Sequence, residues 1–306
     1  MTTATRRRRS ARAPARQASA AQVQATADPA RSLRETTVGV RLAFSALGVR
    51  RVLRRDQLRR AQAVFEAADG SLSASKRLLN TRHPAWRAVM QAKRRLVGYW
   101  RSVTLPYPES AVRLLRRDWI ERFEAQAEEL KTAMNARIVV LNGAYPELLA
   151  AARGALGELY DHGDYPPSLA EEFAVRWEYV TLEPPDYLAK LKPELYAQEA
   201  ARVAAQFDQA VVLAEQAFAA EFAGLVEAIT RQLAPAPDGR QREVRPRAVA
   251  SLREFFDRFR ELNVHGSAEL DTLIDQARAA VEGAGLLATD PDAGRARERI
   301  ARSLVA

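Results

Sequence analysis

The residues best suited to reaction chemistry stand together in one short segment, Asp161-His162-Gly163-Asp164. An imidazole and two carboxylates are competent metal ligands and competent acid–base groups. All three lie on one loop, however, and no second cluster in the sequence completes a coordination sphere. We therefore interpret the segment as a turn, and the sequence predicts no metal site. An enzyme that uses Asp161 and Asp164 as its carboxylates stays open as a minor alternative.

The rest of the sequence offers few groups for catalysis. Cysteine is absent, so thiol nucleophiles and thiolate metal sites are excluded. His83 and His265 precede Pro84 and Gly266 at predicted helix boundaries, where capping or solvent exposure is the ordinary role. None of the strings G-x-x-x-x-G-K-[ST], G-x-G-x-x-G, G-x-S-x-G or H-E-x-x-H occurs. The sequence thus favours a protein without enzymatic activity and without a cofactor.

Cationic side chains form the second group of candidates. Residues 1–117 hold 26 Lys/Arg against 6 Asp/Glu, a net charge of +20, whereas residues 118–306 carry a net charge of −11. This split indicates an anionic partner for the basic portion, or head-to-tail contact between the basic portion of one chain and the acidic portion of another. The candidate nucleic-acid-binding residues are Arg6, Arg7, Arg8, Arg9 and Arg12, then Arg50, Arg51, Arg54 and Arg55, and finally Lys93, Arg94 and Arg95.

Two rings follow the last of these clusters. Tyr99 and Trp100 stand next to Lys93–Arg95, and single-strand binders use such mixtures of cations and rings to stack bases. No helix-turn-helix, zinc-finger or RNP pattern is present, so binding is expected to be electrostatic and insensitive to base sequence. The alternative interpretation is a solvated basic surface whose neighbouring rings belong to the core.

Periodicity divides the chain into three parts. Residues 1–33 are rich in arginine and lack an apolar period, which predicts a disordered tail. Residues 34–285 are the predicted elongated helical domain with a small sheet, and residues 286–306 a flexible C-terminal tail. No run of about 18 apolar residues occurs, so we expect a soluble, cytoplasmic protein that makes no membrane contact.

Strand patterns are confined to a few short segments. Thr37–Ser45 and Phe173–Thr181 alternate apolar with smaller or polar residues, as half-buried strands do, and we expect them to pair or share one small sheet. Val112–Leu115 is compatible with a third strand or with the lead-in to a helix, and the sequence does not decide. Shorter helices are predicted at residues 54–68, 84–100, 249–259 and 267–283.

The strongest structural signal is an apolar row with 4-4-3 spacing in each of two long segments. Such an 11-residue repeat gives about 3.67 residues per turn, typical of helices that run nearly straight or supercoil weakly to the right. Pro193 and Pro235 bracket the second segment, and Pro146 predicts a kink in the first. Matching rows favour mutual contact. The predicted helix–helix interface comprises Trp119, Phe123, Leu130, Met134 and Ile138 opposite Phe207, Val211, Phe218, Phe222 and Leu225.

These patterns combine into one fold prediction. The chain is expected to be mainly α, built on a long antiparallel helical hairpin that is coiled-coil-like with 11-residue repeats. A small β-element caps one end of the hairpin, and additional helices follow towards the C-terminus.

Proline and aromatic motifs between the helices carry a family resemblance. The motifs are Gly70–Leu79, Thr104–Pro108, Phe123, Leu141–Tyr145, Tyr165–Pro167 and Phe173–Trp177. In this order the chain resembles an uncharacterised bacterial and bacteriophage domain-of-unknown-function family over roughly residues 35–285. That family is often encoded beside MoxR-type AAA+ ATPases and von Willebrand A-type proteins. The resemblance implies an accessory role in an ATPase assembly and assigns no catalytic residues.

Two functions follow as expectations. The first is a non-enzymatic helical interaction or adaptor protein, whose partner is a second copy of the chain or an AAA+ ATPase. The paired apolar rows favour this function. The alternative is a nucleic-acid-associated protein that binds DNA or RNA non-specifically through its basic N-terminal third.

Overall fold

The computed structural model describes residues 28–68, 70–233 and 246–283. Within these ranges the chain is mainly helical, as predicted, with two small antiparallel sheets. The strands are β1 Thr37–Ser45, β2 Arg50–Val52, β3 Ser75–Arg77, β4 Thr104–Pro106, β5 Val112–Arg116 and β6 Ala174–Val180. The helices are α1 Pro29–Thr36, α2 Arg55–Val64, α3 Pro84–Ser102, α4 Ile120–Gly143, α5 Tyr145–Leu156, α6 Asp186–Leu191, α7 Pro193–Leu233, α8 Pro246–Leu262 and α9 Ala268–Gly283.

The larger sheet has the strand order β4-β5-β1-β6, with all neighbours antiparallel. The pairing of β1 with β6 places Leu42 opposite Trp177, which confirms that the two alternating segments share a sheet. β1 also pairs with β5, so residues 112–116 form a strand. The short strands β2, β3 and β4 lack the length needed for a visible alternation, and the sequence did not predict them.

The two faces of the β1–β5 pair belong to different cores. Leu114 is buried in one core with Phe207 of α7 and Phe255 of α8. Its neighbour Leu115 is buried in another, with Trp100 of α3 and Phe123 of α4. Successive side chains of a strand point to opposite faces. The sheet therefore lies between α4 and α7.

This arrangement shows that the predicted hairpin is wrong. Helix α4 packs along α3, while α7 packs against α1, α6 and α8. Met134 shares a core with Trp86 of α3, whereas Phe218 contacts Phe255 of α8 with ring centroids 6.2 Å apart. The predicted interface residues of α4 pack in the cores that α4 forms with α3 and the sheet: Phe123, Leu130, Met134 and Ile138. Those of α7 pack in the core that α7 forms with α8: Phe207, Val211, Phe218, Phe222 and Leu225. Trp119 packs against the edge of the α7–α8 core and of the core that contains Phe123.

Each apolar row is still the buried face of its helix. Met134 is fully buried on α4, and Phe207 is 2% exposed on α7. Helix α7 runs unbroken for 41 residues from Pro193, about 60 Å at ~1.5 Å per residue. The first long segment breaks between Gly143 and Tyr145, immediately before Pro146. The rows thus report burial correctly, but they do not identify the partner helix.

The fold begins earlier than the sequence predicted. Helix α1 starts at Pro29, and Asp28 caps it by accepting a hydrogen bond from the Ala30 amide at 3.1 Å. Ala30 and Leu33 are buried against α7 and the sheet. The predicted boundary at residue 34 is therefore too late. The remainder of the predicted N-terminal tail and the whole C-terminal tail at 286–306 lie outside the described residues.

Candidate nucleic-acid interface

Residues 50–77 form a peripheral unit that we name the basic module. Strands β2 and β3 pair antiparallel, placing Arg50 opposite Arg77 and Arg51 opposite Lys76, and α2 connects the two strands. Arg54 precedes α2, and its backbone N–H donates to Gln57 Oε1 at 3.2 Å, which caps the first turn. Pairing of two arginine-bearing strands concentrates positive charge in one place.

The loop Asp161–Asp164 holds this module to the rest of the protein. Lys76 is buried; its Nζ lies 2.5 Å from Asp164 Oδ2 and donates a hydrogen bond to the Leu159 carbonyl at 2.7 Å. Arg51 lies 3.5 Å from Asp164, and Arg54 pairs with Asp161. The Lys76–Asp164 contact does not have the geometry of a hydrogen bond at Oδ2, so it is mainly an electrostatic attraction between the two charges.

The same loop was the strongest sequence candidate for a metal or carboxylate site. Asp161 also accepts a hydrogen bond from the Gly163 amide at 3.0 Å, which forms the predicted turn. Both carboxylates are thus engaged with arginine and lysine. Across the described ranges, no group of three or more His, Asp or Glu side chains is arranged to hold a metal ion.

Helix α2 presents its surface in an unexpected way. Val64 and Phe65 are large apolar residues of the predicted helix 54–68, yet they are 76% and 74% exposed. Gln57 and Gln62 are buried in their place, with Gln57 capping the helix and Gln62 Nε2 donating to the Ala68 carbonyl at 3.5 Å. An exposed ring on an arginine-rich module is suited to stacking on a base.

Not all arginines of the module serve its structure. Arg51 and Arg54 bind the Asp161–Asp164 loop, and Arg60 lies 3.4 Å from Glu158. The remaining four are exposed and form no side-chain hydrogen bond or ion pair within the described part of the chain: Arg50, Arg55, Arg59 and Arg77. These guanidinium groups are available to an anion.

The third predicted cluster, Lys93–Arg95, also contains one residue that is engaged within the protein and two that are exposed. Lys93 Nζ lies 3.8 Å from the ring centroid of Phe44, a cation–π contact within the protein. Arg94 and Arg95 are exposed on α3. The first cluster, Arg6–Arg9 with Arg12, lies outside the described residues.

The rings after this cluster belong to the core, as the alternative interpretation stated. Trp100 is 8% exposed, and Tyr99 stacks on Phe123 with centroids 6.0 Å apart and planes at 8°. The Tyr99 hydroxyl donates to the Arg122 carbonyl at 3.3 Å, and burial raises the pKa of Tyr99. Neither ring serves as a stacking surface. Within the basic module the exposed ring is Phe65, and an apolar pattern alone gave no signal for its exposure.

Part of the charge split is resolved within one chain. Arg34 pairs with Glu183, and this hydrogen-bonded contact raises the pKa of Arg34 and lowers the pKa of Glu183. Arg41 lies 3.0 Å from Glu109 and 3.2 Å from Glu178 on the neighbouring strand. The basic first third is therefore partly neutralised by the acidic remainder, whereas Arg50, Arg55, Arg59 and Arg77 have no such partner within the described residues.

No protein-family model, curated protein or solved structure matches this chain. None of the described helices is both long enough and apolar enough to cross a membrane.

Proposed function

We propose that this protein is a non-enzymatic nucleic-acid-associated protein that contacts the sugar–phosphate backbone through its basic module. The observation that carries the proposal is the set of four exposed arginines without an intramolecular partner, Arg50, Arg55, Arg59 and Arg77. Guanidinium groups bind phosphate in two-pronged geometry and release condensed counterions when they do so. Nothing in this arrangement reads base edges, so affinity is independent of sequence.

The module's apolar residues favour single strands over duplex. Val52 is 67% exposed, and it lies on the same module as the exposed Val64 and Phe65. Bases of a single strand are free to stack on a ring, a contact that contributes about 1–3 kcal/mol per base. In a duplex the bases are stacked on one another, so their faces are not available to a protein ring.

Salt titration of binding tests this proposal. Fluorescence anisotropy with a labelled single-stranded oligonucleotide of mixed sequence gives the affinity at several salt concentrations. Replacing Arg50, Arg55, Arg59 and Arg77 together by Gln is expected to reduce the slope of log affinity against log salt by about 2.8, at ~0.7 per phosphate contact. Affinity itself decreases equally for all sequences.

A matched variant controls for net charge. Arg202, Arg231, Arg260 and Arg278 are arginines of α7, α8 and α9 that already lie in local ion pairs. Their joint replacement by Gln removes the same charge but leaves the module intact, and the slope is expected to change by less than about 1. Equal effects of the two variants would show a general charge effect and contradict the proposal.

The Arg-rich segment before α1 is tested separately. Deletion of residues 1–27 leaves Asp28 and the cap of α1 in place. If only this deletion abolishes binding, and the module variant binds normally, the tail and not the module is the nucleic-acid-binding element.

A second candidate, the adaptor function, is supported by a different observation. Tyr187 and Leu191 lie four residues apart on α6, Leu195 follows in the first turn of α7, and the three side chains are 60%, 73% and 38% exposed. Exposed apolar side chains this near in sequence fit a protein partner, either a second copy of the chain or the AAA+ ATPase that the family resemblance implies. Light scattering tests self-association: Leu191→Ser is expected to dissociate any dimer, while Val139→Ser on α4, also exposed, leaves it unchanged.

A further inference from the structure

A cavity of about 230 Å³ lies at the β4 edge of the larger sheet, where the C-terminal end of α3 approaches α7 and α8. Its walls contain three arginines, Arg101, Arg113 and Arg258, together with Glu221 and Thr104. Sequence patterns did not predict this site, because the three arginines come from a helix end, a strand and a distant helix.

Arg113 is the most constrained of the three guanidinium groups. Its Nε donates to Thr104 Oγ1 at 2.7 Å, and its Nη2 donates to the Thr104 carbonyl at 2.7 Å and the Arg101 carbonyl at 3.5 Å. The guanidinium also lies 5.7 Å from the Trp100 ring centroid. These contacts fix its plane, and its Nη1 has no protein partner in the described residues.

The charges around the cavity do not cancel. Arg258 Nη2 lies 2.5 Å from Glu221 Oε1, so these two groups neutralise each other. Within the described residues, no carboxylate contacts Arg101 or Arg113. The cavity therefore has two uncompensated positive charges. Burial, and secondarily the charge of Arg101, lowers the pKa of Arg113 to about 10, which reflects the cost of charging an unpaired guanidinium there.

We infer that this cavity binds a single phosphoryl group, with Arg101 and Arg113 as its two ligands. Oriented guanidinium groups are the preferred protein ligands of phosphate oxygens, and Arg113 is held in advance by Thr104. The cavity is smaller than the roughly 300–1,000 Å³ of most small-molecule sites. Its size fits inorganic phosphate or the terminal phosphate of a larger molecule, and it excludes burial of a whole nucleotide.

Calorimetric titration with inorganic phosphate in a chloride buffer tests the inference. Wild-type protein is expected to bind one phosphate, and Arg101→Gln to weaken binding about ten- to hundredfold, as expected for the loss of charge-assisted hydrogen bonds. Arg94→Gln is the matched control, since Arg94 is exposed on the same helix and does not line the cavity. Absence of phosphate binding to folded wild-type protein, or equal weakening by both variants, overturns the inference.

Arg113→Gln provides the second variant. Because Arg113 braces Thr104, its replacement is expected to lower stability as well as affinity, and Arg101→Gln, at an exposed position, separates the two effects. Circular dichroism of each variant verifies folding before titration.

Two further ligands distinguish the sources of the phosphate. Tighter binding of a 5′-phosphorylated oligonucleotide than of its 5′-hydroxyl form, with the difference lost in Arg101→Gln, identifies a nucleic-acid terminus. Equal binding of the two oligonucleotides, with retained binding of inorganic phosphate, identifies a free anion. The module variant lacking Arg50, Arg55, Arg59 and Arg77 retains phosphate binding in either case, so this inference and the proposed function fail independently.

Discussion

Asp164→Asn is expected to destabilise the protein by about 3–5 kcal/mol, because it leaves a buried ammonium group without a counter-ion. The Lys76 side chain is 2% exposed, and Asp164 Oδ2 lies 2.5 Å from its Nζ. After the substitution, the Leu159 carbonyl remains as the partner of Lys76. One neutral acceptor does not replace a carboxylate, so the lysine either stays buried at high cost or leaves its site and detaches β3.

The complementary change, Lys76→Met, is expected to be less damaging. Asp164 is 16% exposed and keeps Arg51 at 3.5 Å, so its charge is not isolated when the ammonium is removed. The double variant contains no unpaired buried ion, and we expect it to be more stable than Asp164→Asn alone. Such a gain on adding a second substitution is the signature of a coupled pair.

Urea unfolding monitored by tryptophan fluorescence measures all three variants. Asp56→Asn serves as the control, since Asp56 pairs with Arg54 at 3.6 Å but is 64% exposed, and surface pairs contribute at most about 1 kcal/mol. If Asp164→Asn costs no more than this control, Lys76 is solvated in the native state. The account of how the basic module is held would then be refuted.

Three other predictions concern the cores and the half-buried carboxylate of Glu215. Phe255→Ala is expected to cost about 3–5 kcal/mol in thermal unfolding, because Phe255 is fully buried among four phenylalanine rings. Burial and the charge of Asp271 raise the pKa of Glu215, so native stability is lost as pH rises through that pKa. Glu215→Gln is therefore expected to stabilise the protein at pH 7 but not below about pH 4, as measured by urea titration. Ile138→Val and Phe207→Leu lie in separate cores, and their unfolding free energies are expected to add within about 0.5 kcal/mol. A larger departure from additivity would indicate that α4 and α7 are in contact and would contradict the separate cores.

Local patterns predicted the elements of this fold but not their neighbours. The alternation in residues 37–45 identified β1 to the residue, and Pro193 and Ser267 marked the starts of α7 and α9. These signals depend on sterics and capping within a few residues of the chain; the Ser267 hydroxyl, for example, accepts from the Leu270 amide at 3.2 Å. Two helices with matching apolar rows, in contrast, pack equally well on any apolar surface, and here the sheet and other helices provide it.

The candidate site shows a similar division. Composition located the arginine clusters, yet it could not distinguish Arg51, which binds Asp164, from Arg50, its exposed neighbour. That distinction depends on a loop more than 100 residues further along the chain. The cavity of Arg101 and Arg113 was missed for the same reason, because its lining residues are close only after folding.

The position of β1 between β5 and β6 affects how the protein is made. β1 is synthesised well before its partner β6, which ends at Val180. At a synthesis rate of ~5–20 residues per second, β1 waits on the order of 10 s for this strand. During that interval one edge of a hydrophobic strand has no native partner, and nascent chains that stop before β6 retain that edge as a site for wrong pairing.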